Sequence, residues 1–269
     1  MTSVELSLAG ALVSSERVAA SQSIAPGPKI FVVPAFNEED NLPRLLDDLE
    51  GRPDLFPHGS RLIVVDDGSE DSTPDCVRGY EGPLPVELLR LEPNQGPGAA
   101  FRAGFASAMN GCPSNALIVT LEADTTSNLD ALPAMIERAE AGAELVLADW
   151  TMHNVARRRR LLSAAAGYVV RMLLGVEART VSSFFRVYRA SALEHGLRHY
   201  GDGFIRESGF ACKAEILAKL VQLGAKVEEV PVDLDWEKRV GKSKMPVGRT
   251  ILGYWRMMLR HHVGASSAE

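Results

Sequence analysis

The sequence has few cysteines, and none of them lies in a pattern that builds a site. The three cysteines of the 269-residue chain, Cys76, Cys112 and Cys212, are far apart and form no C-x-x-C pair. This spacing argues against a zinc site and a disulfide framework, and it favours a reducing compartment. Residues 1–27 contain no apolar run behind a basic start, so we expect a flexible tail and no signal peptide.

Long apolar runs and an excess of positive charge are also missing. The longest apolar stretch, residues 161–174, is interrupted by a serine, a glycine and an arginine, and it is shorter than the ~20 residues that span a bilayer. The formal net charge of -6 argues against a general nucleic-acid-binding protein, although local basic clusters can still bind phosphates or anionic lipid headgroups. We therefore expect a chain that does not cross a membrane by itself and has no nucleic-acid partner.

Short apolar segments alternate with amphipathic segments from residue 29 onward. The strand-like runs are 30–33, 62–65, 86–89, 117–121 and 145–147, and the helical patterns are 41–49, 73–79, 98–109 and 129–141. Continuous apolar strands with helices between them predict a mostly parallel sheet that is covered on both faces. The predicted fold class is therefore α/β, with a Rossmann-like first half.

The second half of the chain has a less regular pattern. Its predicted helices are 157–175, 207–223 and 247–262, and its predicted strands are 184–188 and 227–232. We expect one domain over residues 28–245, followed by an amphipathic helix and a tail over 246–269.

Polar residues follow the first predicted strand, and in such folds ligands bind beyond the carboxyl ends of the strands. Pro34 ends this strand, and Asn37 and Glu38 behind it can hydrogen-bond a ribose or a base. A cap of the next helix by Asn37 or Asp40 is the alternative interpretation.

Asp66 and Asp67 follow the second predicted strand directly. Two adjacent carboxylates behind a buried strand are costly to desolvate, so we expect at least one of them to accept from a nucleoside N–H or hydroxyl. Helix capping explains the polar residues at 69–72 that come next, but it does not explain the two aspartates.

A glycine turn at residues 94–100 leads into the third helix and contains Gly96 and Gly98. Backbone N–H groups at such a turn can bind an anion. The segment lacks both the G-x-G-x-x-G spacing and the lysine of a Walker loop, so an ordinary loop-to-helix turn is the alternative.

Two acids end the apolar strand at 117–121, and they are the strongest chemical signal in the sequence. Glu122 and Asp124 are one residue apart, so on an extended segment their carboxylates point the same way and can hold one hard divalent cation. We expect Asp124 to be a direct ligand, Glu122 a direct or water-mediated ligand, and Thr126 a weaker oxygen donor. A helix cap at Asn128 beside two solvated acids is the alternative.

Two later segments concentrate cations and hydroxyl groups. Residues 182–186 end in Arg186, and residues 239–244 contain Arg239, Ser243 and Lys244. Such clusters suit phosphate oxygens, although a solvated basic loop also explains the second of them.

Four consecutive arginines, 157–160, precede the apolar run 161–174, and residues 255–260 repeat this mixture of cations, aromatic and aliphatic side chains. A basic amphipathic helix that does not span the membrane can lie in the headgroup layer. A partly buried or dimer-forming helix is the alternative.

Taken in chain order, these motifs resemble family-2 glycosyltransferases, and among them the dolichyl- or polyprenyl-phosphate mannosyl- and glucosyltransferases. The resemblance runs from about residue 29 to residue 245. It rests on Pro34 with Asn37-Glu38, Asp66-Asp67-Gly68-Ser69, Asn94 with Gly96 and Gly98, Glu122-Ala123-Asp124, Phe185-Arg186, Glu207, and Arg239 with Gly241 and Ser243-Lys244.

The resemblance implies a GT-A fold, a GDP- or UDP-sugar donor, Mg²⁺ or Mn²⁺ at the acid pair, and inversion at the anomeric carbon. Two positions depart from the family pattern. The usual Asp-x-Asp is Glu122-Ala-Asp124 here, and Phe184 stands where the family has glycine before Phe-Arg.

On this basis we expect a hexosyltransferase that uses polyprenyl phosphate and acts in the cytoplasm, in peripheral contact with the inner face of the cell membrane. A phosphate acceptor needs no protein base, because its second pKa is about 6, whereas a hydroxyl acceptor needs one, for which Glu207, Asp233 and Asp235 are candidates. The alternatives are a soluble glycosyltransferase with a hydroxyl acceptor, a nucleotidyltransferase and a silent nucleotide-sugar-binding protein.

The expected site residues fall into four groups. They are Pro34, Phe36, Asn37, Glu38, Asp66, Asp67, Gly96, Gly98 and Ala123 for the nucleotide, Glu122, Asp124 and Thr126 for the metal, Arg186, Arg239, Ser243 and Lys244 for the acceptor phosphate, and Asp124, Arg186 and Glu207 for catalysis.

Overall fold

A computed structural model of the chain describes residues 27–151, 178–181, 183–233, 248 and 250–257. Several predicted features lie outside the described residues. They are the tail before residue 27, the basic helix at 157–175, and Asp235, Arg239, Ser243 and Lys244.

Strands and helices alternate through the first half of the chain, as the sequence predicts. The strands are β1 (Lys29–Ala35), β2 (Arg61–Asp66), β3 (Val86–Arg90) and β4 (Leu117–Thr120), and the helices are α1 (Leu42–Glu50), α2 (Thr73–Arg78), α3 (Pro97–Met109) and α4 (Leu132–Glu140). Each helix has a proline at its first or second position. Proline fits there because the first N–H groups of a helix have no partner within it.

The second half adds three strands and three helices among the described residues. They are β5 (Leu145–Thr151), β6 (Arg186–Arg189), α5 (Ala190–Tyr200), α6 (Cys212–Gln222), β7 (Val227–Asp233) and α7 (250–257). The sequence pattern does not predict α5. The helix predicted from residue 207 begins only at Cys212, and the backbone N–H groups of Arg206 and Glu207 before it donate to the Glu215 carboxylate.

The seven strands form one mixed sheet in the order β3-β2-β1-β4-β6-β5-β7. Strands β1 to β4 are parallel to their neighbours among themselves, β6 is antiparallel to β4 and β5, and β7 is parallel to β5. The chain moves from β1 outward to β3 and then returns to add β4 on the other side of β1. This reversal is a topological switch point, where α/β sheets bind ligands.

The core consists of two apolar layers, one on each face of the sheet. On β1, Ile30 and Val32 face the layer that contains Phe101 of α3, whereas Phe31 and Val33 face the layer beneath α1 and α4. Successive side chains of a strand point to opposite faces, so a continuous apolar run fits a sheet covered on both sides. The predicted α/β fold is confirmed. Within the described ranges, no helix is both long and apolar enough to cross a membrane.

Candidate functional site

The site lies at the sheet edge where β1, β2 and β4 end. Because β6 runs antiparallel to β4, with Thr120 opposite Arg186, the residues before β6 lie beside the residues after β4. The Thr120 hydroxyl donates to the Phe184 carbonyl and fixes this contact. The topology therefore brings three groups together at one edge of the sheet: the residues predicted to bind the nucleotide, the acid pair, and the segment before β6.

The loop after β1 is tied to the loop after β2. Pro34 does not end β1, because Ala35 continues the pairing and its carbonyl accepts from the Asp67 N–H. Asn37 has a positive φ of 54°, a conformation that asparagine tolerates better than most residues. Its N–H donates to the Ser69 hydroxyl at 2.8 Å, and its side-chain oxygen accepts from the Glu70 N–H at 2.9 Å.

Glu38 is buried beside the start of α1. Its N–H donates to the Thr73 hydroxyl at 2.7 Å, and its carboxylate accepts from the Asn41 side chain at 2.7 Å. The cap position of α1 is Asn41, whose own side chain makes no capping hydrogen bond. The alternative that Asn37 or Asp40 caps it is therefore wrong.

Asp66 and Asp67 have different partners. The fully buried Asp66 accepts from the Ser69 N–H through Oδ1, whereas its Oδ2 lies 3.6 Å from Arg90 Nε and has no hydrogen-bond partner. Asp67 accepts from the backbone N–H groups of residues 95 and 96 through both oxygens, at 2.9 and 2.8 Å. Burial raises the pKa of the Asp67 carboxyl, although these two N–H groups act in the opposite direction. Asp66 Oδ2 is thus the orphaned acceptor of the pair.

The glycine turn is hydrogen-bonded within the protein. The Gly96 N–H donates to Asp67, and the Gly98 N–H donates to the Ser208 carbonyl at 2.7 Å. A Cβ atom on Gly98 would lie 1.9 Å from the Glu207 carbonyl oxygen. Both N–H groups thus have protein partners, as in the ordinary loop-to-helix turn that is the alternative interpretation, and the glycines allow close packing of the turn against residues 207–208. A role of this turn in nucleotide binding stays a prediction.

The acid pair lies on a turn, and not on the extended segment that we expect from the sequence. Thr125, between the two acids and Thr126, has a positive φ of 61°. Glu122 accepts from the Phe184 N–H at 3.0 Å and from the Ser127 hydroxyl, while Asp124 accepts from the Thr126 hydroxyl at 2.6 Å. Burial raises the pKa of the Glu122 carboxyl, and the Asp124 charge raises it further.

The donor atoms after β4 are oxygens, the type that a hard divalent cation prefers. Among the described residues, no group of three or more His, Cys, Asp or Glu side chains forms a metal cluster. Mg²⁺ is usually held by only one or two carboxylates together with substrate phosphates and water. Glu122, Asp124 and Thr126 supply that kind of oxygen set, provided that a ligand brings further oxygens.

Lys213 is the residue that sequence reasoning misses. Its side chain on α6 is only 7% exposed, and Nζ lies 4.2 Å from the centre of the Phe184 ring and 5.4 Å from that of Phe210. Burial lowers the pKa of Lys213 to about 8, while the charges of Glu122 and Asp124 raise it. A lysine within a helical pattern is normally read as a surface residue, so only the nearby Phe184-Phe185-Arg186 segment hints at its position.

Arg186 occupies an interior position and not an exposed phosphate-binding loop. It is 1% exposed and lies on β6 between β4 and β5. Its Nη1 donates to the Lys213 carbonyl at 2.7 Å and its Nη2 to the Val181 carbonyl at 3.1 Å. Both terminal nitrogens thus bind backbone carbonyl groups, one on α6 and one in the segment before β6, and binding of the acceptor phosphate by Arg186 stays a prediction.

Glu207 is 2% exposed and lies between α3, α6 and α7. Its N–H donates to Glu215 at 2.8 Å, and its carboxylate lies 3.4 Å from Arg256 of α7. Glu215, which the sequence analysis does not single out, thus positions this segment. Asp233, the other described candidate base, ends the edge strand β7 and is exposed, with β6 and β5 between that strand and β4.

Comparison with known proteins agrees with this arrangement. The family model "Glycosyl transferase family 2" matches residues 30–197. The chain is 28% identical to polyprenol monophosphomannose synthase of Mycolicibacterium smegmatis, with 80% of each chain covered. It is 29% identical to undecaprenyl-phosphate mannosyltransferase of Micrococcus luteus, over 81% of this chain and 88% of that one.

A solved structure shares the fold. Glucosyl-3-phosphoglycerate synthase of Mycobacterium tuberculosis, crystallised with Mn²⁺, UDP and phosphoglyceric acid, aligns with a TM-score of 0.61 at 16% identity, covering 87% of this chain and 79% of that one. This likeness supports the GT-A fold. With a family match across more than half of its length and a switch-point site lined by acids, the chain belongs to glycosyl transferase family 2.

Proposed function

We propose that this protein transfers a hexose from a GDP- or UDP-sugar to a polyprenyl phosphate, with inversion and with the help of Mg²⁺ or Mn²⁺. The observation that carries the proposal is the juxtaposition of Asp66, Asp67 and the Glu122–Asp124 pair at one sheet edge. The two mannosyl-transferring relatives are named for polyprenol or undecaprenyl phosphate, which supports the acceptor class.

The nucleoside part of the donor belongs at the ends of β1 and β2. Asp66 Oδ2 is buried and has an ion-pair contact to Arg90 but no hydrogen-bond partner, so a hydrogen bond from the ligand would stabilise it further. A base N–H or a ribose hydroxyl would satisfy it. Asn37, Glu38 and Asp67 hold the surrounding loops in place through the hydrogen bonds described above.

The diphosphate belongs beside the acid pair. Glu122, Asp124 and Thr126 would hold the cation, which neutralises the leaving diphosphate when it is bound. The structural neighbour with Mn²⁺ and UDP in its crystals supports a metal of this type. The Ser127 hydroxyl and the Phe184 N–H orient Glu122 for that role.

The acceptor needs no base in this reaction. A phosphate monoester carries its second negative charge above a pKa of about 6, so its oxygen can attack the anomeric carbon directly. Arg239, Ser243 and Lys244 are our proposed ligands of the acceptor phosphate, and contact with the membrane surface through residues 157–175 would bring the lipid within reach. Glu207 would be the base only for a hydroxyl acceptor.

The substitution Asp124→Asn tests the metal part of the proposal. Loss of the carboxylate charge removes a direct ligand at nearly unchanged size. Sugar transfer should therefore fall by more than the roughly 10- to 100-fold that loss of an outer-shell partner costs, while the fold survives. Transfer is measured with radiolabelled donor and polyprenyl phosphate in Mn²⁺, and folding is measured by circular dichroism.

The matched control is Asp130→Asn, because Asp130 lies six residues further along and its side chain is 73% exposed, paired with Arg52. Transfer by this control should equal that of the wild type. Full transfer by Asp124→Asn, or by the wild type in excess chelator, would remove the metal from the proposal.

A further inference from the structure

Lys213 is a buried cation without an anionic partner. Among the described residues, no carboxylate lies within ion-pair distance of its ammonium group, and no acceptor hydrogen-bonds it; its contacts are the rings of Phe184 and Phe210. The residue is only 7% exposed, and an ammonium group with so little water around it is favoured when it is paired and hydrogen-bonded. Contacts with aromatic faces compensate for only part of the lost hydration free energy.

Lys219 on the same helix shows how a structural lysine is satisfied in this protein. Its Nζ donates to the carbonyl oxygens of Gly203 and Phe204 and pairs with the Glu215 carboxylate. The two terminal nitrogens of the buried Arg186 are likewise bound to carbonyl oxygens. Lys213 has none of these partners, so a purely structural role leaves its charge unexplained.

The position of Lys213 indicates what would satisfy it. Phe184, whose ring contacts the ammonium group, donates its backbone N–H to Glu122. Phe184 is thus a shared neighbour of the ammonium group and of Glu122, and the charges of both acids act on the ammonium group. An anion held at the acid pair would come within its reach and could accept from its three N–H groups.

We propose that Lys213 is a ligand of the donor diphosphate, sharing its negative charge with the divalent cation. This inference rests on the proposed function, because it assumes a nucleotide at the Glu122–Asp124 pair. It has a second consequence. A cation beside two metal-binding carboxylates opposes metal binding in the nucleotide-free protein, so Lys213 favours binding of the metal together with the diphosphate over binding of the metal alone.

The substitution Lys213→Met tests this role because it keeps an unbranched side chain, one atom shorter, and removes its charge. Binding of UDP and GDP is measured by isothermal titration in EDTA, with uridine and guanosine as ligands that lack the diphosphate. Loss of a charge-assisted contact should weaken diphosphate binding about 10- to 100-fold and leave nucleoside binding unchanged. Lys213→Arg, which keeps the charge, should retain most of the diphosphate affinity.

The metal gives an independent readout. Mn²⁺ titration followed by electron paramagnetic resonance should show tighter binding to nucleotide-free Lys213→Met than to the wild type, whereas structural damage would weaken both ligands. Lys226→Met is the matched control, because it removes the same charge from an exposed side chain just before the edge strand β7. It should change neither affinity.

Equal diphosphate affinity of Lys213→Met and the wild type would overturn the inference while leaving the proposed function intact. If no nucleotide bound to the wild type even with Mn²⁺, the proposed function itself would fail. Should Lys213→Met not fold, the wild type alone decides the question. In EDTA, the wild type must bind UDP or GDP at least about 10-fold more tightly than uridine or guanosine. Equal affinities for nucleotide and nucleoside would contradict the role of Lys213.

Discussion

Glu122 illustrates at the residue scale how one buried side chain serves both the fold and the site. Its carboxylate accepts from the Phe184 N–H and from the Ser127 hydroxyl, and so joins the end of β4 to the segment before β6. Burial raises its pKa, as does the charge of Asp124, while the two hydrogen bonds and Lys213 lower it. Burial dominates, so the charged form is held at a cost in stability when no cation is bound.

This cost predicts a pH dependence for the metal-free protein. The folded-state pKa of Glu122 is raised above the unfolded value, so its stabilising contribution is complete below about pH 4.3 and is lost as the pH rises through the folded pKa. The free energy of unfolding of the wild type should therefore fall relative to that of Glu122→Gln as the pH rises. Urea denaturation in EDTA across a pH series measures the difference.

Glu137→Gln on α4 is the control, because this side chain is exposed. Its free energy of unfolding should run parallel to that of the wild type over the same pH series. A constant difference between wild type and Glu122→Gln at every pH would show that the Glu122 pKa is the same in the folded and unfolded states.

At the scale of elements, the start of α3 depends on a close contact between two backbones. The Gly98 N–H donates to Ser208 at 2.7 Å, and Gly96 adopts a φ of 88° against the same carbonyl. Because Asp67 accepts from the preceding turn, this contact links β2, α3 and the Glu207 segment. The site edge thus depends on the absence of two Cβ atoms.

Gly98→Ala should break this link. Its Cβ atom would lie 1.9 Å from the Glu207 carbonyl oxygen, and a backbone atom cannot move aside without shifting its segment. We expect a loss of at least about 1–3 kcal/mol in the free energy of unfolding, measured by urea denaturation.

Gly51→Ala is the matched control at the end of α1. Its φ is -63° and the nearest atoms to a new Cβ lie 3.6 Å away, so it should be neutral or stabilise by about 0.4–1 kcal/mol. Similar urea midpoints for the two variants would contradict the close contact at Gly98.

The sequence predicts the strands and helices whose apolar side chains follow a clear pattern along the chain. Continuous apolar runs place β1, β2 and β4 in the sheet, and the polar residues behind them mark its binding edge. The period of a segment does not identify its long-range partners. Only the structure therefore shows that the Gly96 and Gly98 N–H groups are hydrogen-bonded within the protein, that Arg186 is buried, and that Glu215 positions the segment around Glu207. Lys213 is missed for the same reason, since a helical pattern does not show which neighbours cover a lysine.

At the scale of the whole molecule, the switch point between β1 and β4 brings the acids together. The residues that we propose for the donor lie there, within the described residues. The proposed acceptor ligands Arg239, Ser243 and Lys244 lie outside them. The proposed acceptor class is supported by the two relatives that are named for polyprenol or undecaprenyl phosphate, and by the reactivity of a phosphate, which needs no base.

A transfer assay with two matched lipids tests the central claim most directly. Purified protein is incubated with Mn²⁺ and a panel of GDP- and UDP-sugars, together with either polyprenyl phosphate or the corresponding polyprenol, which differs only in lacking the phosphate. We predict a lipid-linked sugar with polyprenyl phosphate for at least one donor, none with polyprenol, and none in excess chelator. Equal transfer to polyprenol, or transfer only to a sugar hydroxyl, would contradict the account.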